Sequence, residues 1–111
     1  MSSAVQMLLM VLAAALEVGG DALVRKGLRG AGLGLVALGF IVLGSYGVVV
    51  NRLNLDFSRL LGAYVGFFAI VSVLFGRIVF KEQIATSTWV GLGVVLGGSL
   101  IIQLGGSSVS P

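Results

Sequence analysis

The sequence contains no cysteine and no histidine, and only one of its 111 residues is a proline. Without cysteine there is no thiolate nucleophile and no disulfide, and without histidine there is no imidazole base. The usual protein ligands of zinc are therefore missing as well. These absences argue against an enzyme, and we expect neither a metal site nor a bound cofactor.

Charged side chains are also scarce, at 10% of the residues, whereas a soluble domain carries about 25%. Hydrophobic residues make up 58% of the chain, and its mean hydropathy is +1.15. Such a chain cannot cover its surface with polar groups, which predicts an integral membrane protein with lipid as its surroundings. The net charge of +3 does not indicate nucleic-acid binding, because the basic residues fall at predicted helix ends, where they contact lipid headgroups.

Four apolar segments follow one another, each long enough to cross a bilayer as a helix. We predict helices over residues 4–24, 31–50, 60–79 and 85–103, followed by a flexible tail over residues 105–111. The connections are too short to hold a second domain. The predicted fold is therefore a single all-α membrane domain of four transmembrane helices.

Basic residues are divided unevenly between the two sides of this arrangement. Five belong to the first and third connections and two to the second: Arg25, Lys26, Arg29, Arg77 and Lys81 against Arg52 and Arg59. Because basic loops stay in the cytoplasm, we expect both termini outside a bacterial inner membrane. No basic residue precedes the first apolar segment, unlike in a signal peptide, so we expect that segment to be retained as a helix.

Glu17 lies within about one helical turn of the middle of the first predicted helix. A carboxylate at the centre of a spanning helix costs at least about 2.5 kcal/mol, so such groups usually face a protein interior or a wet cavity and mark a transport path. No basic residue lies within a turn of Glu17. Glu17 is therefore the first candidate for binding substrate and protons.

Glu17 begins a stripe of charged residues that recur every four positions along one helix face: Glu17, Asp21, Arg25 and Arg29. Asp21 is a second candidate for binding substrate or protons. The alternative is that Asp21 pairs with Arg25 near the membrane interface while Arg29 extends to the lipid headgroups.

The fourth predicted helix carries a glycine motif typical of helix contacts. Gly93 and Gly97 are spaced as small-xxx-small, and Gly98 follows. Because a four-helix core is filled by its own side chains, a solute path requires a partner chain. We predict a dimer contact at these glycines, with an identical chain or a paralogue; packing within one subunit is the alternative.

Several of these features together resemble the small multidrug resistance family of the drug/metabolite transporter superfamily. They are the length, the four helices, the acid midway along the first, and Phe80-Lys81-Glu82 before a glycine-rich fourth helix. In the best-matching stretch, residues 13–20, Glu17 matches the family's essential glutamate. Residues 91–102 look like its dimerisation segment, and residues 63–65 look like the opening of its third helix.

The resemblance implies proton-coupled export of a cationic or amphipathic small molecule through a dimer. Glu17 would hold either a proton or an organic cation. Tyr46 and Tyr64 would supply hydrogen bonds, and Phe67 and Phe68 a cation–π surface, with ordinary helix packing as the alternative for each. The chain departs from the drug exporters, however, because it lacks the tryptophan that follows the matching tyrosine. Drug specificity is therefore not assumed.

Two other functions remain open. One is a flippase or carrier component for a lipid-linked substrate, in which Arg25, Arg29 and Arg59 would bind phosphate near the membrane faces. The other is a non-transporting accessory subunit whose acid pairs with a basic residue of another membrane protein.

Overall fold

The computed structural model describes residues 3–105. Within this range the chain forms four long helices: α1 (Ser3–Lys26), α2 (Leu33–Val50), α3 (Phe57–Ile78) and α4 (Thr86–Gly105). All four are long and apolar enough to cross a membrane. The predicted all-α architecture with four spanning helices is confirmed at this level.

The helix ends differ slightly from the predicted ones. α1 continues through the basic residues to Lys26, and α3 begins at Phe57 rather than at residue 60. The first helical hydrogen bond of α3 runs from the Leu60 N–H to the Asp56 carbonyl at 2.7 Å. Gly105, predicted as the first residue of the tail, ends α4; the rest of that tail lies outside the described residues.

The helices are arranged as two hairpins. α1 packs against α2 and also against α3, whereas α4 packs against α3 alone among the described elements. The order across the molecule is therefore α2, α1, α3, α4. Helix α1, which carries Glu17, Asp21 and Arg25, joins the two hairpins through its contact with α3. Arg29, predicted to continue the charged stripe, lies beyond the end of α1, where its φ and ψ angles of −96° and 21° are not helical.

A glycine-rich turn reverses the chain between α1 and α2. A widened helical turn spans Gly27–Ala31. Gly30 within it and Gly32 directly after it adopt φ angles of +121° and +110°. Residues with side chains rarely take these left-handed conformations, whereas glycine does so at little cost. The first connection therefore depends on glycine at these two positions.

Glycines also set the close approach of α1 and α2. A Cβ atom on Gly39 would lie 2.6 Å from Val24 Cγ2 and 2.8 Å from the Gly20 carbonyl oxygen. At Gly44, on the same helix, a Cβ atom would meet nothing within 4 Å in the described chain. The two helices therefore pack tightly around Gly20 and Gly39.

The buried core lies mainly between α1 and α3. Its side chains form one cluster: Met10, Ala13, Ala14, Val50, Leu53, Leu60, Ala63 and Tyr64. Three of them are alanines, whose small side chains let the helix backbones approach closely. Because Ala13 lies one turn before Glu17 on α1, the core places that carboxyl beside α3.

Ser99 joins α4 to α3. Its hydroxyl donates a hydrogen bond to the Ala63 carbonyl at 2.7 Å and accepts one from the Gly66 N–H at 3.2 Å. Ser99 is buried, and a Cβ on Gly66 would lie 2.6 Å from its oxygen. The α3–α4 hairpin is thus held by a polar contact that requires a small residue on α3.

Ser99→Ala is expected to lower the free energy of unfolding by about 1 kcal/mol, because both hydrogen bonds between its hydroxyl and α3 are lost. Ser45→Ala is the matched control, since the exposed Ser45 hydroxyl bonds only to Ile41 of its own helix. Thermal unfolding of both variants in the same detergent measures the difference. Equal stabilities for the two variants would contradict the role given to Ser99.

Candidate functional site

Glu17 is held by a hydrogen bond from α3. The Tyr64 hydroxyl donates to Glu17 Oε1 at 2.7 Å. Tyr64 is only 4% exposed, whereas Glu17 is partly buried. In surroundings this apolar, a hydrogen bond to a carboxylate is stronger than in water. The structure therefore brings together two of the site residues predicted from the sequence, from helices in different hairpins.

Aromatic rings extend from this hydrogen bond on both sides. The Tyr64 ring centroid lies 5.6 Å from that of Tyr46 on α2 and 6.3 Å from that of Phe68 on α3. Phe67 also packs against the core but has no such ring contact in the described chain, and it lines a separate apolar cavity of about 250 Å³ between α3 and α4. Of the two adjacent phenylalanines, Phe68 is the one that contacts the aromatic cluster of Glu17.

Asp21 lies one turn further along α1 and is exposed to a cleft. This cavity, of about 270 Å³, runs between α1 and α3 and is also lined by Phe68 and Arg25. Asp21 and Arg25 form no ion pair in the described part of the chain. Both charged groups therefore line the cleft without neutralising each other.

Phe80, in the connection between α3 and α4, lies at the end of this cleft. Arg25 Cζ is 5.5 Å and Lys26 Nζ 5.7 Å from the centre of its ring, so two cations lie close to one aromatic ring. Together with Arg29, these basic residues line an adjoining cavity of about 440 Å³. The sequence indicated the basic cluster, as contacts of lipid headgroups or of a substrate phosphate, and no role was predicted for Phe80.

Glu82 lines both cavities near Phe80. Its backbone N–H donates to the Gly76 carbonyl at 3.0 Å, and its carboxylate lies against Gly76, where a Cβ would be 2.5 Å from Oε1. No acidic cluster that could hold a metal ion occurs in residues 3–105. The cleft thus contains charges of both signs, and sequence reasoning did not include Glu82 among the candidates.

Arg59 lies at the opposite end of the helices from Arg25 and Arg29. One of its terminal nitrogens, Nη2, donates to the Gln103 carbonyl near the end of α4 at 3.2 Å. Its side chain borders another cavity, of about 300 Å³. The three arginines predicted to contact phosphate are therefore divided between two ends of the molecule.

The glycines predicted to form a dimer contact face open space in the single chain. Cβ atoms on Gly93, Gly97 and Gly98 would meet nothing within 4 Å among the described residues. The Trp89 side chain at the start of the same helix is also exposed. This face of α4 therefore takes no part in packing within the described chain.

Comparisons with known proteins identify the family. The model of a family described as "Uncharacterised BCR, YnfA/UPF0060 family" matches residues 4–107. A UPF0060 membrane protein of Nocardia farcinica is 38% identical over 96 residues, covering 83% of this chain and 85% of the relative. Another, from Mycolicibacterium vanbaalenii, is 42% identical over 100 residues, covering 86% and 91%. No solved structure matches. The chain belongs to the YnfA/UPF0060 family of membrane proteins.

Proposed function

We propose that the chain is a small secondary transporter that exports a cationic or amphipathic small molecule in exchange for protons. Its shared binding site is Glu17. The observation that carries this proposal is the hydrogen bond between Glu17 and Tyr64, which lies within membrane-spanning helices beside three aromatic rings. The resemblance of residues 13–20 to the small multidrug resistance family supports the same assignment.

Exchange follows because the Glu17 carboxyl can hold a proton or an organic cation, but not both at once. A proton neutralises Glu17, whereas an organic cation pairs with its charged form, so the two ligands compete. The rings of Tyr46, Tyr64 and Phe68 offer an apolar wall with a cation–π surface for the substrate. Asp21 lies one turn further along α1 and faces the cleft. It provides a second carboxylate between Glu17 and Phe80, which a substrate moving through the cleft would meet.

The proposed transporter is a dimer. Gly93, Gly97 and Gly98 would form the contact, since small residues allow close helix approach and nothing in the described chain covers them. The partner would be an identical chain or a paralogue. The proposed orientation places both termini outside the bacterial inner membrane, because the basic residues concentrate at the other end.

A carrier for a lipid-linked substrate is the second candidate function. It is favoured by the cavity of about 440 Å³ lined by Arg25, Lys26 and Arg29, where a phosphate group would meet three cations. Under this function, neutralising Glu17 would leave transport largely unchanged.

Proton release tests the proposal directly. Organic cations ranging from guanidinium to tetraphenylphosphonium are added to detergent-solubilised protein in weak buffer, and the pH is recorded. Saturable proton release is the expected result. If folded, dimeric protein releases no protons with any cation, the proposal fails and the carrier for a lipid-linked substrate becomes the leading candidate.

Tyr64→Phe is expected to raise the cation concentration for half-maximal proton release about 10-fold. The phenyl ring keeps the packing, but the carboxylate loses a charge-assisted hydrogen bond worth about 1.5–3 kcal/mol. Tyr46→Phe is the control, because it leaves the bond between Tyr64 and Glu17 in place. If both variants titrate like the original protein, the Tyr64 hydroxyl has no part in binding.

A further inference from the structure

The cavity beside Arg59 brings together parts of the chain that are distant in sequence. It lies where α1 begins and α4 ends, next to the connection between α2 and α3, and has a volume of about 300 Å³. Its walls are mostly apolar, with Met7, Met10 and Leu104 among them. Its polar lining comes from Gln6, Arg59 and Gln103.

The charge of Arg59 is not balanced in this cavity. Its Nε atom is buried without a hydrogen-bond partner among residues 3–105, and Nη2 reaches only a backbone carbonyl. No carboxylate lines the cavity within the described chain. Asp56, the nearest acid in sequence, is exposed and forms no ion pair with Arg59 in the described structure. A partly buried guanidinium without a counter-charge is costly, so an anion at this point would be strongly stabilised.

The surrounding groups define the chemistry of that anion. The side-chain amides of Gln6 and Gln103 each carry two hydrogen-bond donors, and guanidinium forms paired hydrogen bonds with phosphate oxygens. The methionine and leucine side chains suit a hydrocarbon chain rather than a second polar group. A phosphate ester with an apolar portion matches this lining, because its phosphate suits the polar residues and its apolar portion suits the methionine and leucine side chains.

We infer that this cavity is a phosphate-binding site, occupied by a phosphate ester on Arg59. The ester is supplied by an anionic phospholipid of the surrounding leaflet or by a soluble phosphate compound. The site is separate from Glu17 and does not depend on transport. Arg52, in the connection between α2 and α3, is exposed and does not line the cavity, so it serves as a matched control.

Native mass spectrometry of delipidated protein tests the site with three probes: phosphatidylglycerol, phosphatidylcholine and glycerol 3-phosphate. We expect phosphatidylglycerol to bind more tightly than phosphatidylcholine. Arg59→Gln should weaken its binding about 10-fold, equivalent to about 1.4 kcal/mol, and Arg52→Gln less than twofold. Arg59→Lys keeps the charge without the paired donors, so its affinity for phosphatidylglycerol should fall between those of Arg59→Gln and Arg52→Gln. This variant keeps the test usable if Arg59→Gln does not fold.

The outcomes separate the two sources. Arg59-dependent binding of phosphatidylglycerol alone identifies the membrane lipid as the ligand. Arg59-dependent binding of glycerol 3-phosphate alone supports the same site with a soluble ligand. If neither phosphatidylglycerol nor glycerol 3-phosphate binds in a way that depends on Arg59, with the Arg59 and Arg52 variants equal for both probes, the inference is overturned.

Discussion

Glu17→Gln is expected to abolish proton release on cation addition, with a loss of at least about 100-fold in apparent affinity, or about 2.7 kcal/mol. Glutamine has nearly the shape of glutamate and can still accept the Tyr64 hydrogen bond through its amide oxygen. The fold and the aromatic cluster should therefore remain. What disappears is the negative charge that attracts the cation and the group that carries the proton.

Asp56→Asn is the control for this experiment. It also removes one carboxylate, but Asp56 is exposed in the connection before α3 and its side chain caps no helix. Proton release from this variant should stay within about twofold of the original, as for surface changes away from specific contacts. Saturable release from folded Glu17→Gln protein, equal to that of Asp56→Asn, would remove Glu17 from the site.

Gly39→Ala is expected to destabilise the protein by about 1–3 kcal/mol, the usual cost of overpacking a filled interior. The added methyl group would lie 2.8 Å from the Gly20 carbonyl oxygen and 3.0 Å from the Val24 backbone nitrogen. Neither is the movable end of a side chain, so α1 and α2 must separate. The loss should appear as a lower unfolding temperature in detergent.

Gly44→Ala provides the matched comparison on the same helix. Its methyl group would meet nothing within 4 Å in the described structure, and alanine favours a helix over glycine by about 1 kcal/mol. We therefore expect unchanged or slightly raised stability. If Gly39→Ala and Gly44→Ala unfold at the same temperature, the close contact of α1 with α2 at Gly39 does not exist in the membrane protein.

The four helices could be predicted because each apolar run is long enough to span a bilayer, which leaves little choice of structure. Glu17 could be proposed as a site residue for the same reason, since a carboxylate within such a run is costly. Neither inference required knowledge of how the helices pack. Both predictions depend only on the hydrophobicity of the segments and on the cost of placing a charge in hydrocarbon.

Side-chain partners across the helices could not be predicted in the same way. Phe67 and Phe68 are adjacent, and consecutive residues point in directions about 100° apart on a helix. The rotation of α3 decides between them, and it is set by contacts such as that of Ser99 with Gly66. The cavity beside Arg59 needs parts of α1, α3 and α4 together, so the sequence indicated Arg59 as a phosphate contact but not the residues that surround it.

The order α2, α1, α3, α4 has a mechanical consequence. Each hairpin is tied internally by its own close contacts, at Gly39 in one and at Ser99 in the other. The bond between Glu17 and Tyr64 crosses the seam between them. A rocking motion of one hairpin against the other would stretch that bond, so under the proposed function a proton or cation on Glu17 would change the resistance to such a motion.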